Sequence, residues 1–111
     1  LMAEGQQQEK QTLRQQAIMF AGRFSREHSM ELQFDDAALD RLVERAEAER
    51  MKMHDLCAHL FKDFQFGLSL IKKNTGRNKF VLDRRAVDAP DKFLSQLVLQ
   101  SYGPGGERQG E

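Results

Sequence analysis

Apolar residues in the first third of the chain recur at the spacing of an α-helix. Thr12 is the expected start of this helix, and Ile18 and Ala21 are expected to widen its apolar face. Residues 1–11 form a polar, glutamine-rich lead-in that either frays or extends the helix. The residues that define the face are separated by four, three and four positions: Leu13, Ala17, Phe20 and Phe24.

The period then changes to strict alternation of apolar and polar residues. The segment Met30–Phe34 alternates in this way, which predicts a short, half-buried strand. Asp35 and Asp36 follow at once and predict the N-cap of a second helix, weakening near Glu49. The inward residues of that helix are expected to be Leu39, Leu42, Val43 and Ala46.

A third helix is predicted from Asp55 to Ile71, and it is the most apolar of the set. Because apolar residues widen its face on both sides, we expect it to be the central helix. The segment Asn74–Gly76 ends it and supplies a residue for a left-handed cap. Its main stripe consists of Leu56, Leu60, Phe64, Gly67 and Ile71.

The last third predicts a second strand and one further helix. Phe80–Leu82 is the strand, and Asp88 is the expected cap of a helix with Pro90 in its first turn. This helix is expected to end at Tyr102, before a polar tail over residues 103–111 that we expect to be disordered. Its inner face is predicted to be Phe93, Leu94, Leu97 and Val98.

The predicted fold class is α+β and mostly helical, in the order helix, strand, helix, helix, strand, with an added C-terminal helix. Residues 12–102 form the predicted domain. Two strands this short do not stand alone, so they are expected to pair with each other beside the helices. The predicted shared core contains Phe34, Leu39, Leu60, Phe64 and Val81.

Length and charge limit the function classes. The chain has 111 residues with 17 basic and 17 acidic side chains, which suits one domain and argues against a general polyanion binder. No apolar run approaches the ~20 residues of a membrane span, so no membrane partner is expected. The single cysteine fits a reducing compartment, and we expect a cytoplasmic protein. The start at Leu1-Met2 suggests a piece of a longer protein.

Candidate chemistry is sparse. His54, Cys57 and His59 lie within six residues, but zinc needs more ligands than this cluster supplies, so no metal site is predicted. A small enzyme using His54 and Cys57 is an alternative, although a helix interior does not expose a nucleophile. No glycine-rich phosphate loop is present. We therefore predict no catalytic residue and no enzyme activity for this chain alone.

A basic cluster and two methionines offer further alternatives. Within fourteen residues the cluster carries six cations against Asp83, which indicates a solvated loop with a helix cap. The rival interpretation is a free-standing helical interaction module whose basic turn binds an acidic protein or a nucleic acid. Met51 and Met53 flank a predicted turn and are either exposed or fill a gap between helices. The cations are Lys72, Lys73, Arg77, Lys79, Arg84 and Arg85.

The segment Glu31–Leu39 reads E-L-Q-F-D-D-A-A-L and resembles the strand-to-helix motif E-L-x-F-T-D-E-A-L. That motif belongs to the small C-terminal lid domain of the Clp-type AAA+ ATPases, those of the ClpX and HslU type. Leu42–Ala46 is similar to the family's I-A-x-x-A helix, and Phe80–Asp83 to its V-V-I-D strand. The resemblance extends from Leu13 to Leu82 and includes the order of the elements.

The resemblance implies a lid that closes over ATP and magnesium bound to a preceding nucleotide-binding domain and contacts neighbouring subunits of a homo-oligomeric ring. A protease or a protein substrate is a further implied partner. The family places a sensor arginine in a Gly-Ala-Arg segment, and this chain reads Lys52-Met53-His54 there. His54 and Lys52 are thus the implied nucleotide-contacting residues. An imidazole lacks the fixed charge and the forked donors of a guanidinium.

Overall fold

The computed structural model describes the backbone of residues 2–102 and the side chains of residues 8–102. It is 77% helical with a two-stranded sheet, which confirms the α+β, mostly helical class. The predicted tail over residues 103–111 lies outside the described residues. The elements are α1 (Met2–His28), β1 (Glu31–Phe34), α2 (Asp36–Glu49), α3 (Met53–Leu60), α4 (Phe64–Thr75), β2 (Lys79–Leu82), α5 (Arg84–Asp88) and α6 (Pro90–Tyr102).

The two strands pair with each other, as predicted, and they run parallel with Leu32 opposite Phe80. A parallel pair requires a crossover, which α2, α3 and α4 provide. Ser25 of α1 fixes the other edge of β1, because its hydroxyl accepts a 2.8 Å hydrogen bond from the Leu32 amide. The same hydroxyl donates to the Ala21 carbonyl, so α1 and the sheet are joined through one side chain.

The start of α2 follows the sequence prediction closely. Asp35 is the N-cap, and its carboxylate accepts a 2.8 Å hydrogen bond from the Ala38 amide. The helix ends at Glu49, followed by Arg50 in the left-handed region with φ 55°. Gly76, with φ 77°, likewise ends α4, as predicted. The predicted inward residues of α2 are all buried: Leu39, Leu42, Val43 and Ala46.

Two predicted core positions are wrong. Val81 is 46% exposed, because alternation along β2 buries Phe80 and Leu82 and turns the residue between them outward. Ile18 is also 46% exposed and does not widen the buried face of α1, whereas Ala21 does. The rest of the predicted core packs together, with Phe34 only partly buried: Phe34, Leu39, Leu60 and Phe64.

The predicted third helix is in fact two helices. Its stripe of apolar residues continues from α3 into α4, but the backbone leaves the helical region at Phe61, with φ −111° and ψ 26°. The separate helices have different neighbours, since α3 packs against α1 and α2 while α4 packs against α6. Phe61 and Phe64, on either side of the break, are both buried, with ring centroids 5.0 Å apart at 75°.

The C-terminal part contains a short helix that the pattern did not predict. Asp83 caps α5 by accepting a 2.9 Å hydrogen bond from the Arg85 amide. Asp88 ends α5 and is not the predicted cap of α6, because Arg41 of α2 holds its carboxylate at 2.6 Å. This ion pair ties α5 to α2. Arg45 adds a 2.9 Å hydrogen bond to the Val87 carbonyl.

Helices α4 and α6 lie side by side and run in the same direction. Gly67 is next to Leu94, and the Asn74 amide donates a 3.2 Å hydrogen bond to the Ser101 hydroxyl. Each helix advances seven residues between these two contacts, so the helix directions agree. The inner face of α6 is as predicted, with Phe93 buried and three partly buried residues packed on the core: Leu94, Leu97 and Val98.

Candidate functional site

Lys52 and His54 lie at the amino end of α3, and both are exposed. Lys52 is the N-cap residue, with extended backbone at φ −66° and ψ 144°, and its side chain makes no cap hydrogen bond. The unsatisfied amide groups of a helix start carry partial positive charge. The position that the resemblance assigns to a sensor residue is therefore accessible and electropositive.

A groove of about 470 Å³ lies between one flank of α1 and the start of α3. The α1 residues that face it follow one another at steps of three, except for the adjacent pair Met19 and Phe20, and so lie on one flank of the helix. Met53 contributes from α3 and is fully buried, so it fills the gap between the helices. The groove is lined by Leu13, Gln16, Met19, Phe20, Arg23, Lys52, Met53 and His54.

The imidazole of His54 packs against an aromatic cluster. Its ring centroid lies 6.0 Å from that of Phe20, with the rings at 64°, an edge-to-face arrangement. Phe20 in turn lies 6.4 Å from Phe61, and Phe61 lies 5.4 Å from Phe34. Aromatic contacts thus connect His54 with the strand β1, so its position depends on the core.

The groove lining is positively charged. Of its described residues, Arg23 and Lys52 are cationic, and none is acidic. His54 lies beside Phe20, and Leu13, Gln16 and Met19 line the groove from α1. Asp55 is exposed in the first turn of α3 but does not line the groove. A ligand that combines anionic and apolar groups would match this surface.

Cys57 lies in the core and does not form a site with the histidines. It is fully buried, and burial raises the pKa of its thiol to about 12. His59 is exposed and lies on α3 with it. No group of three or more His, Cys, Asp or Glu within the described part of the chain could hold a metal ion. The thiol of Cys57 is therefore buried and protonated, and this argues against the alternative in which it acts as a nucleophile.

The basic cluster is divided by its contacts. Arg84 pairs with Asp88 at 3.1 Å, and Arg85 pairs with Asp83 at 2.8 Å, so two of its cations are neutralised locally. The ammonium group of Lys72 donates a 2.7 Å hydrogen bond to the Ser29 carbonyl, just beyond the end of α1. Lys72 therefore caps the C-terminal end of α1 and not that of α4, the helix to which it belongs.

Arg77 also belongs to the packed part of this cluster. Its guanidinium lies 5.0 Å from the ring centroid of Phe80 and donates to the Lys79 carbonyl at 3.0 Å. With Arg84, Arg85 and Lys72 also engaged, the cluster does not present six free cations to a partner. Arg84 and Arg85 stay largely exposed, so these contacts do not test the interaction-module alternative.

Sequence reasoning identified two residues of this groove and missed the contribution of α1. Arg23 follows Phe20 by three residues and lies on the same flank of α1. Pairing that flank with the start of α3 required the tertiary structure. Nothing in the local pattern indicates which helix covers α1.

Residues 2–102 contain no helix that is both long and apolar enough to cross a membrane. Comparisons with protein-family models, with curated proteins and with solved structures find no match for this chain.

Proposed function

We propose that this chain is the C-terminal lid domain of a Clp-type AAA+ ATPase. The observation that carries the proposal is the coincidence of motif and geometry. The family-like segment Glu31–Leu39 forms a strand, an aspartate cap and a helix, and Phe80–Leu82 lies in the partner strand. The crossover between the strands consists of helices, as in the proposed family's order.

The proposed job is mechanical. The lid would close over ATP and magnesium held by a preceding domain, and α1 would connect the two. The groove side chains fit a phosphate, because the lining includes the cations Arg23 and Lys52 and carries no acid. Lys52, His54 and Arg23 would contact the nucleotide from the lid side. The chain supplies no catalytic residue of its own in this proposal.

Neighbouring subunits of a homo-oligomeric ring are the proposed partners, in the cytoplasm, together with a protease or a protein substrate. Large exposed apolar side chains are the candidates for such subunit contacts. Met19 is 64% exposed on α1, and Phe66 and Leu99 are each 68% exposed on α4 and α6. These are the side chains that ring assembly would cover.

Two measurements test the proposal. The coding sequence upstream of Leu1 should contain a G-x-x-x-x-G-K-[S/T] phosphate loop. A start codon directly before Leu1 would contradict the proposal. Isothermal titration of this chain with ATP and magnesium should show no binding tighter than millimolar, because its lining residues include no phosphate-cradling loop. A micromolar constant would equally contradict a lid that depends on a preceding domain.

A further inference from the structure

We infer that the groove between α1 and α3 is a docking site for an acidic amphipathic helix of a partner protein. The inference does not depend on the lid proposal, but both use Arg23, Lys52 and His54, so the helix would occupy the groove only when no nucleotide does. The groove follows α1 from Leu13 to Arg23, which at 1.5 Å per residue is about 15 Å, the length of nearly three helical turns. An elongated ligand suits that length.

The floor of the groove suits apolar side chains at helical spacing. Leu13 and Phe20 are half-buried, so each offers part of its side chain to a ligand. Met19 is 64% exposed beside them. Unbranched methionine side chains adapt to the shape of a partner and are frequent at peptide-binding surfaces. Recognition of a helix in such a groove relies on apolar anchors at positions i, i+3, i+4 and i+7.

Charge decides the rest of the partner's chemistry. Arg23, Lys52 and His54 line the groove together with its apolar residues, and no described lining residue is acidic. A helix carrying carboxylates beside an apolar face complements this pattern. A nucleotide bound by the chain alone fits less well, because tight phosphate binding uses backbone amides of a glycine-rich loop, which the lining does not include.

The test uses the 111-residue chain and a display library of random 16-residue peptides. The selected peptides should carry glutamate or aspartate together with apolar residues at helical spacing. Their binding, measured by fluorescence anisotropy, should weaken as salt rises. Selection of basic or uncharged peptides would overturn the inference, and so would failure to select any peptide.

Matched variants locate the binding site. Arg23→Glu and Met19→Gln should each weaken binding of a selected peptide by about tenfold or more. Arg26→Glu and Ile18→Gln are the controls, since both residues are exposed on α1 and neither lines this groove. Equal affinities for Arg23→Glu and Arg26→Glu would overturn the inference. Displacement of the peptide by micromolar ATP would also overturn it, because the groove would then be a phosphate site.

Discussion

Gly67 of α4 lies directly against the side chain of Leu94 of α6. A β-carbon at Gly67 would lie 2.6 Å from Leu94 Cδ1 and 2.8 Å from Leu94 Cγ, closer than packed atoms approach. The missing side chain therefore allows two parallel helices to pack closely. The glycine is required by this contact and not by its backbone conformation.

Gly67→Ala should consequently destabilise the protein, although alanine is the better helix former. Overpacking costs about 1–3 kcal/mol and the gain in helix propensity is at most about 1 kcal/mol, so a net loss of roughly 1 kcal/mol is expected. Gly22→Ala in α1 is the control, because its nearest contact would be an ordinary 3.6 Å to Arg26. That variant should be stabilised. Urea denaturation of both variants checks the sign, and a stabilised Gly67→Ala would contradict the described contact.

The burial of Phe64 predicts a large effect of its truncation. Phe64 is 1% exposed and packs edge-to-face on Phe61, so Phe64→Ala should lower the free energy of unfolding by about 3–5 kcal/mol. Phe66→Ala is the control in the same helix, because Phe66 is 68% exposed. It should change stability by less than about 1 kcal/mol. Similar losses for the two variants in chemical denaturation would mean that α4 is oriented differently.

The position of Cys57 predicts an unreactive thiol. Because burial raises its pKa to about 12, the native protein should react with a disulfide reagent only as fast as it opens. In denaturant the single thiol should react at once. The absorbance of the thiolate released from the reagent gives the reaction rates of the native and the denatured protein. Rapid labelling of the native protein would revive the interpretation of Cys57 as a nucleophile.

Acidification should reveal how much Asp88 contributes to the stability of the protein. Its hydrogen bond with Arg41, and secondarily that with Arg84, holds its pKa below the usual value. A depressed folded-state pKa stabilises the protein above the unfolded pKa of about 3.9, and that stability is lost as the pH falls through the folded value. Asp88→Asn should therefore lose less stability than the unmodified chain as the pH falls below about 5. If the free energy of unfolding depends on pH in the same way for Asp88→Asn and for the unmodified chain, the ion pair between Asp88 and Arg41 is contradicted.

Elements that depend on neighbouring residues were predicted correctly from the sequence. Predictions failed where the same pattern of apolar and polar residues is compatible with two different structures. Asp35 was predicted correctly as a cap because an aspartate between a strand pattern and a helix pattern has few other uses. The break at Phe61 was missed because the apolar stripe continues through it and Lys62 and Asp63 suit a polar helix face equally well. Three consecutive apolar residues in β2 left the facing of Val81 undetermined.

The candidate site was partly predictable for a related reason. Lys52 and His54 came from a resemblance that concerns one stretch of chain, and the structure leaves both exposed at a helix start. Arg23 reaches the same groove from a helix almost thirty residues earlier. Asp88 was assigned to the wrong helix because the sequence shows that an aspartate there can cap a helix. It does not show that the same carboxylate pairs with the distant Arg41.

His54 provides the sharpest test of how the proposed lid would act. In an ATPase containing this chain, His54→Arg should tighten nucleotide binding or raise turnover, because a guanidinium adds fixed charge and two parallel donors. A hydrogen bond to a charged group contributes about 1.5–3 kcal/mol, so an effect of about tenfold or more is expected. His59→Arg is the control, since His59 is exposed on the same helix but does not line the groove. Steady-state kinetics at pH 8 should also show little change for His54→Ala. If that variant folds but loses all turnover, the imidazole itself is essential, and His54 is not a weakened substitute for the family's arginine.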